Sequence, residues 1–517
     1  MPSPRPTGSR VTTLSAVAAL ADGVLDGDDV TVSGVSLSSQ DIVAGDLYAA
    51  LPGANAHGGS YAAAARQAGA VAVLTDDAGA SLVRETWPEA PLVRVPAPRA
   101  VVGRVASLVY GTERLPLRLF GVTGTNGKTT TAYLVNSALV ALGHTTGLIG
   151  TVETRIGDER IKSMRTTPEA TVLHALLAVM AERGVDSCVM EVSSHALSQH
   201  RVDGVVYDVA LFTNLSQDHL DFHPTMRDYF EAKASLFTPE RSRLGIVCVD
   251  DEWGRELAQT ASVPVTTVTS VPDVAADWRL EPGASPADLT LTDGATSLHL
   301  RSALPGDFNR VNTAMAALAL MAAGLSPRDV EHALWQDPHV PGRMQRVAVD
   351  VPEDATEAVL PDVVVDYAHT PDAVAAALRA LRPTTQGSLV VVLGAGGDRD
   401  RGKRAAMGRA AADHADLVFV TDDNPRSEDP AVIRAAVMAG ASDAATDAVL
   451  HDVAGRQAAI EAAVDAAFRA GPGSVVAIVG KGHETGQEIG GTVHPFDDVD
   501  EARNALRSLV RRTGERA

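Results

Sequence analysis

A glycine-rich segment between an apolar strand and a helical stretch constrains this chain more than any other feature. It reads GVTGTNGKTT over residues 121–130. In such a loop the backbone N–H groups and the helix N-terminus point toward phosphate. Lys128 would then reach the β- and γ-phosphates of a nucleotide, and the Thr129 hydroxyl would bind Mg²⁺. The general motif has a glycine five residues before Gly127, where this chain has Val122, so the strict motif is not met.

The net charge, the cysteine content and the length of the apolar stretches exclude several classes of protein. The net charge of −21 would repel a long phosphodiester, so no nucleic-acid partner is expected. The two cysteines, Cys188 and Cys248, lie in apolar runs typical of buried strands, which suits a reducing cytosol. No apolar stretch reaches the roughly 18 residues of a membrane-spanning helix. The segment LSAVAAL near the N-terminus has the spacing of a first amphipathic helix, so we expect a cytoplasmic protein without membrane insertion.

The chain alternates apolar strands with helical stretches, which predicts an α/β fold with mainly parallel sheets. A turn-rich segment near residue 112 and a Pro- and Gly-containing segment near residue 343 predict two boundaries. We therefore expect a small α/β domain at 1–112, a central P-loop ATPase-like domain at 113–343 and a Rossmann-like domain at 344–517. Polar or glycine-rich loops follow the strands, and ligands bind at the carboxyl ends of strands in open sheets.

Six further motifs follow in order along the chain. They are EVSSH at 191–195, FTNLSQDHLDFH at 212–223, EAKASLF at 231–237, GDFNRVN at 306–312, GRMQ at 342–345 and DYAHTPDA at 366–373. Together with TGTNGKTT, this series resembles the Mur ligase family over nearly the whole chain. The resemblance implies a three-domain enzyme that uses ATP and Mg²⁺ to form an amide bond through an acyl phosphate.

The resemblance also implies where the nucleotide and the metal ions bind. The implied nucleotide site comprises Gly124, Thr125, Asn126, Gly127, Lys128, Thr129, Thr130, Asn309, Arg343 and Asp366, with His369 nearby. The implied catalytic groups are Lys128, Glu191, His219 and Lys233, and the metal ligands are Thr129, Glu191, His219 and Lys233. Lys233 would carry CO₂ as a carbamate (N6-carboxylysine), which turns a cation into an oxygen ligand for Mg²⁺. Because carbamate formation needs a neutral amine, we expect a lowered pKa at Lys233.

The implied acceptor substrate is UDP-MurNAc-L-Ala-D-Glu. Ser39, Thr166, Thr167, Ser193, Gln199 and Arg201 match positions that hold it in similar ligases. The family's uridine-binding stretch reads Asp-Ser-Arg, whereas this chain has Ser38-Ser39-Gln40, so an ion pair expected there is missing. Asn55 and His57 are further candidates in this domain, and Gln217 stands where the family often has arginine.

The third domain indicates the amino acid that is added. The sequence Asp423-Asn424-Pro425-Arg426 resembles the signature of diaminopimelate-adding enzymes. Diaminopimelate differs from lysine by one distal carboxylate, which arginine can bind with forked hydrogen bonds. The candidate binding residues are Arg399, Asp423, Asn424, Pro425, Arg426, Gly480 and Glu484.

The two acids among these residues would take ammonium groups, while lysine would leave Arg426 unpaired. We therefore expect a monomeric ligase that adds meso-diaminopimelate. The alternatives are a lysine-adding relative, a ligase that adds the terminal dipeptide, and a nucleotide-binding regulator that has lost ligation.

Overall fold

The computed structural model describes residues 4–8, 11–350 and 360–514. The chain divides into two compact units. The first contains Met1–Glu281, Thr290–Leu300 and Val311–Gln336, and the second contains Pro282–Leu289, Arg301–Arg310 and Asp337–Ala517. Among the described residues, no helix combines the length and the apolar character that crossing a bilayer requires. The boundaries predicted at residues 112 and 343 stay a prediction.

A small sheet forms the N-terminal part of the first unit, and the expected LSAVAAL helix is confirmed there. The strands are β1 (Thr12–Thr13), β2 (Val24–Asp26), β3 (Thr31–Val32), β4 (Gly34–Ser36), β5 (Asp46–Ala49), β6 (Ala72–Thr75) and β7 (Leu92–Arg94). The helices are α1 (Leu14–Leu20), α2 (Ala62–Ala68), α3 (Asp77–Thr86) and α4 (Pro98–Tyr110), with a 3₁₀ turn at Gly58–Tyr61. Five of these strands form the sheet, in the order β2-β7-β6-β5-β4, in which only β2 is antiparallel to its neighbour. Strands β1 and β3 form a separate antiparallel pair.

An eleven-stranded sheet follows. Its strands are β8 (Arg118–Thr123), β9 (Thr146–Ile149), β10 (Glu153–Ile156), β11 (Glu159–Lys162), β12 (Ser187–Glu191), β13 (Val209–Phe212), β14 (Gly245–Cys248), β15 (Val265–Thr269), β16 (Trp278–Pro282), β17 (Asp288–Thr292) and β18 (Ser297–Arg301). The helices are α5 (Lys128–Ala141), α6 (Ala170–Glu182), α7 (Ser194–Ser198), α8 (Met226–Ala234), α9 (Glu252–Thr260), α10 (Asp307–Ala322) and α11 (Pro327–Leu334).

The order of this sheet is β11-β10-β9-β12-β8-β13-β14-β15-β16-β17-β18, and the run from β9 to β16 is parallel. Strands β12 and β8 are neighbours, with Glu191 opposite Val122. The loops after β8, β12 and β13 therefore emerge together at one edge. Cys188 and Cys248 are buried and free in β12 and β14, as predicted, and burial raises the pKa of Cys188 to about 12.

The second unit contains a six-stranded sheet with the order β19-β20-β24-β21-β22-β23, parallel except for β19. Its strands are β19 (Gln345–Val347), β20 (Asp362–Asp366), β21 (Leu389–Leu393), β22 (Leu417–Val420), β23 (Val449–Asp452) and β24 (Val475–Val479). The helices are α12 (Pro371–Leu381), α13 (Lys403–His414), α14 (Pro430–Ser442), α15 (Arg456–Ala470) and α16 (Asp498–Gly514), with a 3₁₀ turn at Arg382–Thr384. Strands β25 (Gly486–Ile489) and β26 (Thr492–Pro495) form a hairpin. The α/β class, with a mostly parallel central sheet and a Rossmann-like C-terminal sheet, is thus confirmed.

A fully buried ion pair joins the starts of the last two helices. Arg456 donates two hydrogen bonds of 2.7 Å to the Asp498 carboxylate, and both side chains are inaccessible to solvent. We expect Arg456→Met to lower the free energy of unfolding of this unit by about 3–5 kcal/mol, because it leaves a buried unpaired carboxylate. Thermal and urea unfolding would measure the loss. Arg503→Met, which breaks the exposed pair with Asp500, is the matched control and should cost less than about 1 kcal/mol. Equal losses for the two variants would contradict this prediction.

Candidate functional site

The glycine-rich loop lies where the sequence predicts it, between β8 and α5. Gly124 and Gly127 have φ angles of 144° and 86°, which disfavour any side chain. A Cβ atom would also stand 1.9 Å from Thr213 Oγ1 at Gly124 and 2.5 Å from Asn312 Oδ1 at Gly127. Glycine is therefore required on both steric and conformational grounds.

The glycine-rich loop is held in place by hydrogen bonds that it donates to the loop after β13. The backbone N–H of Thr125 donates to the Asn214 carbonyl at 2.9 Å, and that of Asn126 donates to Asn214 Oδ1 at 3.0 Å. Lys128 folds back over the loop, and its Nζ donates to the carbonyls of Gly124 and Thr125 at 2.9 and 2.8 Å. The ammonium group thus lies above the cradle in which a phosphate would bind.

A buried carboxylate follows strand β12. Glu191 is 1% exposed and accepts hydrogen bonds from Thr129 Oγ1 at 2.9 Å, Thr151 N at 2.8 Å and Thr151 Oγ1 at 3.0 Å. In the part of the chain that the structure describes, no basic side chain forms an ion pair with it. A buried carboxylate with only neutral donors and an adjacent hydroxyl fits the all-oxygen preference of Mg²⁺.

Thr151 was not predicted as a site residue. It directly follows Gly150 at the end of β9, the strand that neighbours β12. The Gly-Thr pair after an apolar strand is the only local signal that could have indicated it.

The helix α8 buries Lys233 under the glycine-rich loop. Its side chain is 1% exposed, its Nζ donates to the Gly124 carbonyl at 2.8 Å, and the amine lies 4.6 Å from the centre of the Tyr229 ring. Burial, reinforced by the positive charge of Lys128, holds the pKa of Lys233 well below its ordinary value, although Asp218 opposes this shift. The expected lowered pKa is therefore confirmed in direction.

His219 lies in a cluster of rings on the loop after β13. It has a φ angle of 54°, and its ring centre is 4.9 Å from that of His195. Burial lowers the pKa of His219 to about 4, so the imidazole is neutral at pH 7 and its lone pair is available to a metal ion. The described residues contain no cluster of three or more His, Cys, Asp or Glu side chains suited to a metal. A Mg²⁺ ion would therefore take most of its ligands from phosphate and water, as it usually does.

Most of the predicted acceptor-binding residues lie beside Glu191. Thr167 Oγ1 donates to the Glu191 carbonyl at 2.9 Å and accepts from Ser193 N at 3.0 Å. Thr166 Oγ1 lies 3.0 Å from Thr151 Oγ1. The structure thus brings the RTTP segment and the loop after β12 together next to the glycine-rich loop.

Gln199 and Arg201 join this group from the end of α7. Arg201 Nη2 donates to Gln199 Oε1 at 2.5 Å, Nη1 donates to the Thr167 carbonyl at 3.4 Å, and Nε lies 3.1 Å from Glu169 Oε1. Burial lowers the pKa of Arg201 from its ordinary value. A half-buried guanidinium at this edge could bind an anionic group of the acceptor.

Ser39 lies in a turn after β4, and no contact in the described structure joins it to the other predicted acceptor residues. The turn that contains Ser39 is stabilised by Arg5, a residue that was not predicted from the sequence. Arg5 donates to both Asp46 carboxylate oxygens at 2.9 Å and to the Asp41 carbonyl at 3.0 Å. Burial raises the pKa of Asp46 despite the attraction of Arg5. This turn therefore has an arginine partner from outside the Ser38-Ser39-Gln40 segment.

In the second unit, Asp366 ends strand β20 and accepts from the backbone N–H groups of Met344 at 2.8 Å and Ala368 at 2.9 Å. Burial raises its pKa, and the nearby Arg343 opposes this shift. The Arg343 guanidinium lies 4.3 Å from the centre of the Tyr367 ring, which offers a stacked surface beside the carboxylate. The structure thus brings Arg343 and Asp366 together.

His369 and Asn309 complete the nucleotide residues predicted in this unit. His369 Nδ1 is 2.9 Å from the Tyr367 carbonyl oxygen, and the two ring centres are 4.6 Å apart, on the loop that follows Asp366. Asn309, at the start of α10, is 1% exposed and donates to the Pro305 carbonyl at 2.7 Å.

The loops after β22 and β24 gather four of the predicted amino-acid-binding residues around a lysine. Lys481 is fully buried, and its Nζ donates to Asn424 Oδ1 at 3.2 Å and to Glu484 Oε2 at 3.3 Å. Its Nζ lies 4.0 Å from Asp423 Oδ1. Asn424 Nδ2 also donates to Glu484 Oε2 at 2.9 Å, and a Cβ on Gly480 would stand 2.7 Å from Asp423 Oδ2. Lys481 was not predicted, although its place between two glycines after a strand marks it.

Arg426 and Arg399 lie on the side of Gly396 where another residue would have its Cβ atom. A Cβ on that glycine would lie 3.1 Å from Arg426 Nη1 and 3.8 Å from Arg399 Cγ. Arg426 adopts a left-handed φ of 52°, and its Nη1 donates to the Gly397 carbonyl at 2.6 Å. Pro425 fits closely here as well, since a Cβ on Gly397 would lie 1.9 Å from its carbonyl oxygen.

Arg426 already has an anionic partner. Its Nε lies 3.3 Å from Glu488 Oε2, a residue of the β25–β26 hairpin that sequence reasoning missed. The expectation that Arg426 is unpaired when no distal carboxylate is bound is therefore wrong. The reason is that the hairpin, distant in sequence from Arg426, folds beside the loop after β22.

Comparisons with known proteins agree with this geometry. Residues 122–321 match the family profile of the Mur ligase middle domain, residues 342–482 match the Mur ligase glutamate ligase domain, and residues 31–110 match the Mur ligase family catalytic domain. A UDP-N-acetylmuramoyl-L-alanyl-D-glutamate--2,6-diaminopimelate ligase from Streptomyces avermitilis is 49% identical over 99% of this chain and 98% of its own length. A UDP-N-acetylmuramyl-tripeptide synthetase from Leifsonia xyli is 47% identical over 93% of each chain.

A solved structure of a UDP-N-acetylmuramoyl-L-alanyl-D-glutamate--2,6-diaminopimelate ligase superposes with a TM-score of 0.67 at 30% identity. The match covers 97% of this chain and 99% of that one. A MurF structure from Acinetobacter baumannii has a TM-score of 0.64 at 17% identity over 98% of this chain and all of that one, so it shares the fold. The profile matches and the near full-length identity agree, and the chain belongs to the Mur ligase family.

Proposed function

We propose that this chain is an ATP-dependent amide-bond ligase that adds meso-2,6-diaminopimelate to the D-glutamate of UDP-N-acetylmuramoyl-L-alanyl-D-glutamate, in peptidoglycan precursor synthesis. The observation that carries the proposal is the cluster after β22 and β24. In it Asn424, two residues before Arg426, donates to Glu484 at 2.9 Å, so that Glu484 and the neighbouring Asp423 would be available to ammonium groups of the amino acid. Relatives at 49% and 43% identity over most of both chains bear the name of that reaction.

The first chemical step transfers the γ-phosphoryl group of ATP to the glutamate side-chain carboxylate. A carboxylate oxygen forms the new bond to phosphorus, and ADP leaves with the electron pair of the broken bond. The loop N–H groups and Lys128 neutralise the charge that spreads over the phosphate oxygens. Mg²⁺, when bound by the Thr129 hydroxyl and the Glu191 carboxylate, would supply further charge neutralisation at these oxygens, and His219 is the candidate ligand for a second ion.

In the second step, a neutral amine of diaminopimelate attacks the acyl phosphate. The tetrahedral species loses phosphate and a proton, which leaves the amide. Thr166, Thr167, Ser193 and Arg201 would hold the acceptor beside the glycine-rich loop, so that its carboxylate meets the γ-phosphate.

We further propose that Lys233 carries a carbamate. Its neutral amine attacks CO₂, an N–C bond forms, and the proton passes to solvent. The supporting observations are its complete burial, its lowered pKa and its position 2.8 Å from the Gly124 carbonyl of the phosphate loop. The modification would place an anion where a cation would oppose Mg²⁺ binding.

The proposed selection of diaminopimelate rests on charge. Arg426 and Arg399 would bind the distal carboxylate, while Glu484 and Asp423 would bind ammonium groups. Asn424 and Lys481 hold Glu484 by hydrogen bonds, so these residues would fix the position of one acceptor for the amino acid.

Phosphate release tests the proposal. With ATP, Mg²⁺ and the UDP-linked dipeptide, we expect release with meso-diaminopimelate and much slower release with L-lysine. Arg426→Ala should lower kcat/KM for diaminopimelate by about 10²-fold, with KM for ATP unchanged, because it removes a charged hydrogen-bond partner. Arg401→Ala is the matched control, since it removes an exposed arginine that pairs with Glu428 in the same region. Equal rates with lysine and diaminopimelate in the wild-type protein would overturn the proposed selectivity.

A further inference from the structure

We propose that Glu488 is a specificity-determining counter-ion that holds Arg426 before the amino acid binds and thereby weakens binding of the distal carboxylate. This inference rests on the proposed function, because it assigns the distal carboxylate of diaminopimelate to Arg426. It adds a residue that neither the motif nor its neighbours in sequence would indicate.

Backbone hydrogen bonds fix Glu488 beside Arg426. The Arg426 N–H donates to the Glu488 carbonyl at 3.0 Å, and the Gly490 N–H donates to the Arg426 carbonyl at 2.7 Å. The Glu488 N–H donates to Asn424 Oδ1 at 3.0 Å. Strand β25 is thus paired with the segment after β22, and the carboxylate is attached to a fixed backbone rather than to a free loop.

The contact between the two side chains is incomplete. A single pair of atoms, Arg426 Nε and Glu488 Oε2, lies 3.3 Å apart, whereas a forked pair would use two guanidinium nitrogens at 2.7–2.9 Å. The Glu488 side chain is 40% exposed and that of Arg426 is 24% exposed, so an incoming carboxylate can reach the guanidinium. Glu488 therefore occupies Arg426 without saturating its donors.

This arrangement affects diaminopimelate and lysine differently. A distal carboxylate must share Arg426 with Glu488 or displace it, and the negative charge of Glu488 repels it in either case. Lysine brings no such carboxylate, so Arg426 keeps Glu488 and is not left unpaired. Glu488 thus lowers the affinity for diaminopimelate and reduces the discrimination against lysine.

The variant Glu488→Gln tests this inference, because it keeps the shape of the side chain and removes its charge. We expect KM for meso-diaminopimelate to fall by about 3- to 10-fold in the phosphate-release assay, as a charge contact of this exposure allows. KM for ATP, KM for the UDP-linked dipeptide and the activity with L-lysine should not change. Glu461→Gln, which removes an exposed charge on α15 of the same unit, should leave all of these values unchanged.

The Arg426→Ala background makes the test specific. There the Glu488→Gln effect on KM should disappear, since without Arg426 the distal carboxylate is no longer bound next to Glu488. A higher KM for diaminopimelate in Glu488→Gln would show that Glu488 binds the distal ammonium group instead, and it would overturn the inference. An unchanged KM would overturn it as well. Wild-type protein that uses diaminopimelate while Glu488→Gln has no effect would refute this inference alone, whereas wild-type protein inactive with diaminopimelate would refute the proposed function too.

Discussion

Replacing Glu191 with alanine is expected to lower kcat for phosphate release by about 10³-fold, because the proposed Mg²⁺ ligand would supply several kcal/mol of charge stabilisation in the transition state. Glu191 is 1% exposed, and its side-chain carboxylate accepts hydrogen bonds from Thr129 and Thr151. Measurement of kcat at saturating Mg²⁺, ATP, acceptor and amino acid would give the loss.

The control for this prediction is Glu153→Gln, which alters another buried glutamate of the same sheet. Glu153 is 8% exposed, accepts a hydrogen bond of 3.0 Å from Tyr133 and forms an ion pair with Arg155. We expect its kcat to change by less than about tenfold, since it supports structure only. Thermal unfolding should show that Glu191→Ala remains folded, because among the described residues no basic side chain forms an ion pair with Glu191 that the change would leave unpaired. A kcat close to wild type in Glu191→Ala would refute the role in catalysis.

Lys233→Met is the second change with a large expected effect, and we expect it to abolish detectable ligation. Met fills a similar volume but can form no carbamate and can supply no oxygen ligand. If the carbamate is the active form, the wild-type protein should lose activity in CO₂-free buffer and regain it on addition of bicarbonate, whereas Lys233→Met should not respond. Wild-type activity that is independent of CO₂ would contradict the carbamate, even if the variant is inactive.

The stability of the same variant has a predicted pH dependence. The pKa of Lys233 in the folded protein is lowered, so between that value and the ordinary 10.5 the unfolded chain binds more protons. In CO₂-free buffer the wild-type protein should therefore gain stability as the pH rises through this window. Lys233→Met should lack this gain, and its Tm should exceed that of the wild type by more at pH 6 than at pH 9.

Local patterns predicted local structure well. The segment GVTGTNGKTT indicated a strand, a loop and a helix, and β8 and α5 flank the loop as expected, with glycine required at 124 and 127. The helical stretch around Lys233 and its lowered pKa also followed from the sequence once the family motifs were recognised. Each of these features depends on residues that are close together in the chain.

Contacts between distant segments could not be predicted in the same way. Thr151 reaches Glu191 because β9 and β12 are neighbours in the sheet, and a single sequence does not specify strand order. Glu488 reaches Arg426 because the β25–β26 hairpin pairs with the loop after β22, although residue 488 is 62 positions after residue 426 in the chain. Arg5 and Asp46 meet for a similar reason. The residues that contact the predicted site residues from distant parts of the chain could therefore be identified only from the structure.

The side chain and the backbone carbonyl of Glu191 accept hydrogen bonds from different segments of the protein. Its side chain accepts a hydrogen bond from Thr129 of the nucleotide loop, and its backbone carbonyl accepts one from Thr167 of the acceptor segment. If ATP and the acceptor bind at these two segments as proposed, a shift of Glu191 on binding of one would move a hydrogen-bond partner of the other. Any change in affinity that results is reciprocal, so each ligand would change the affinity of the other by the same factor.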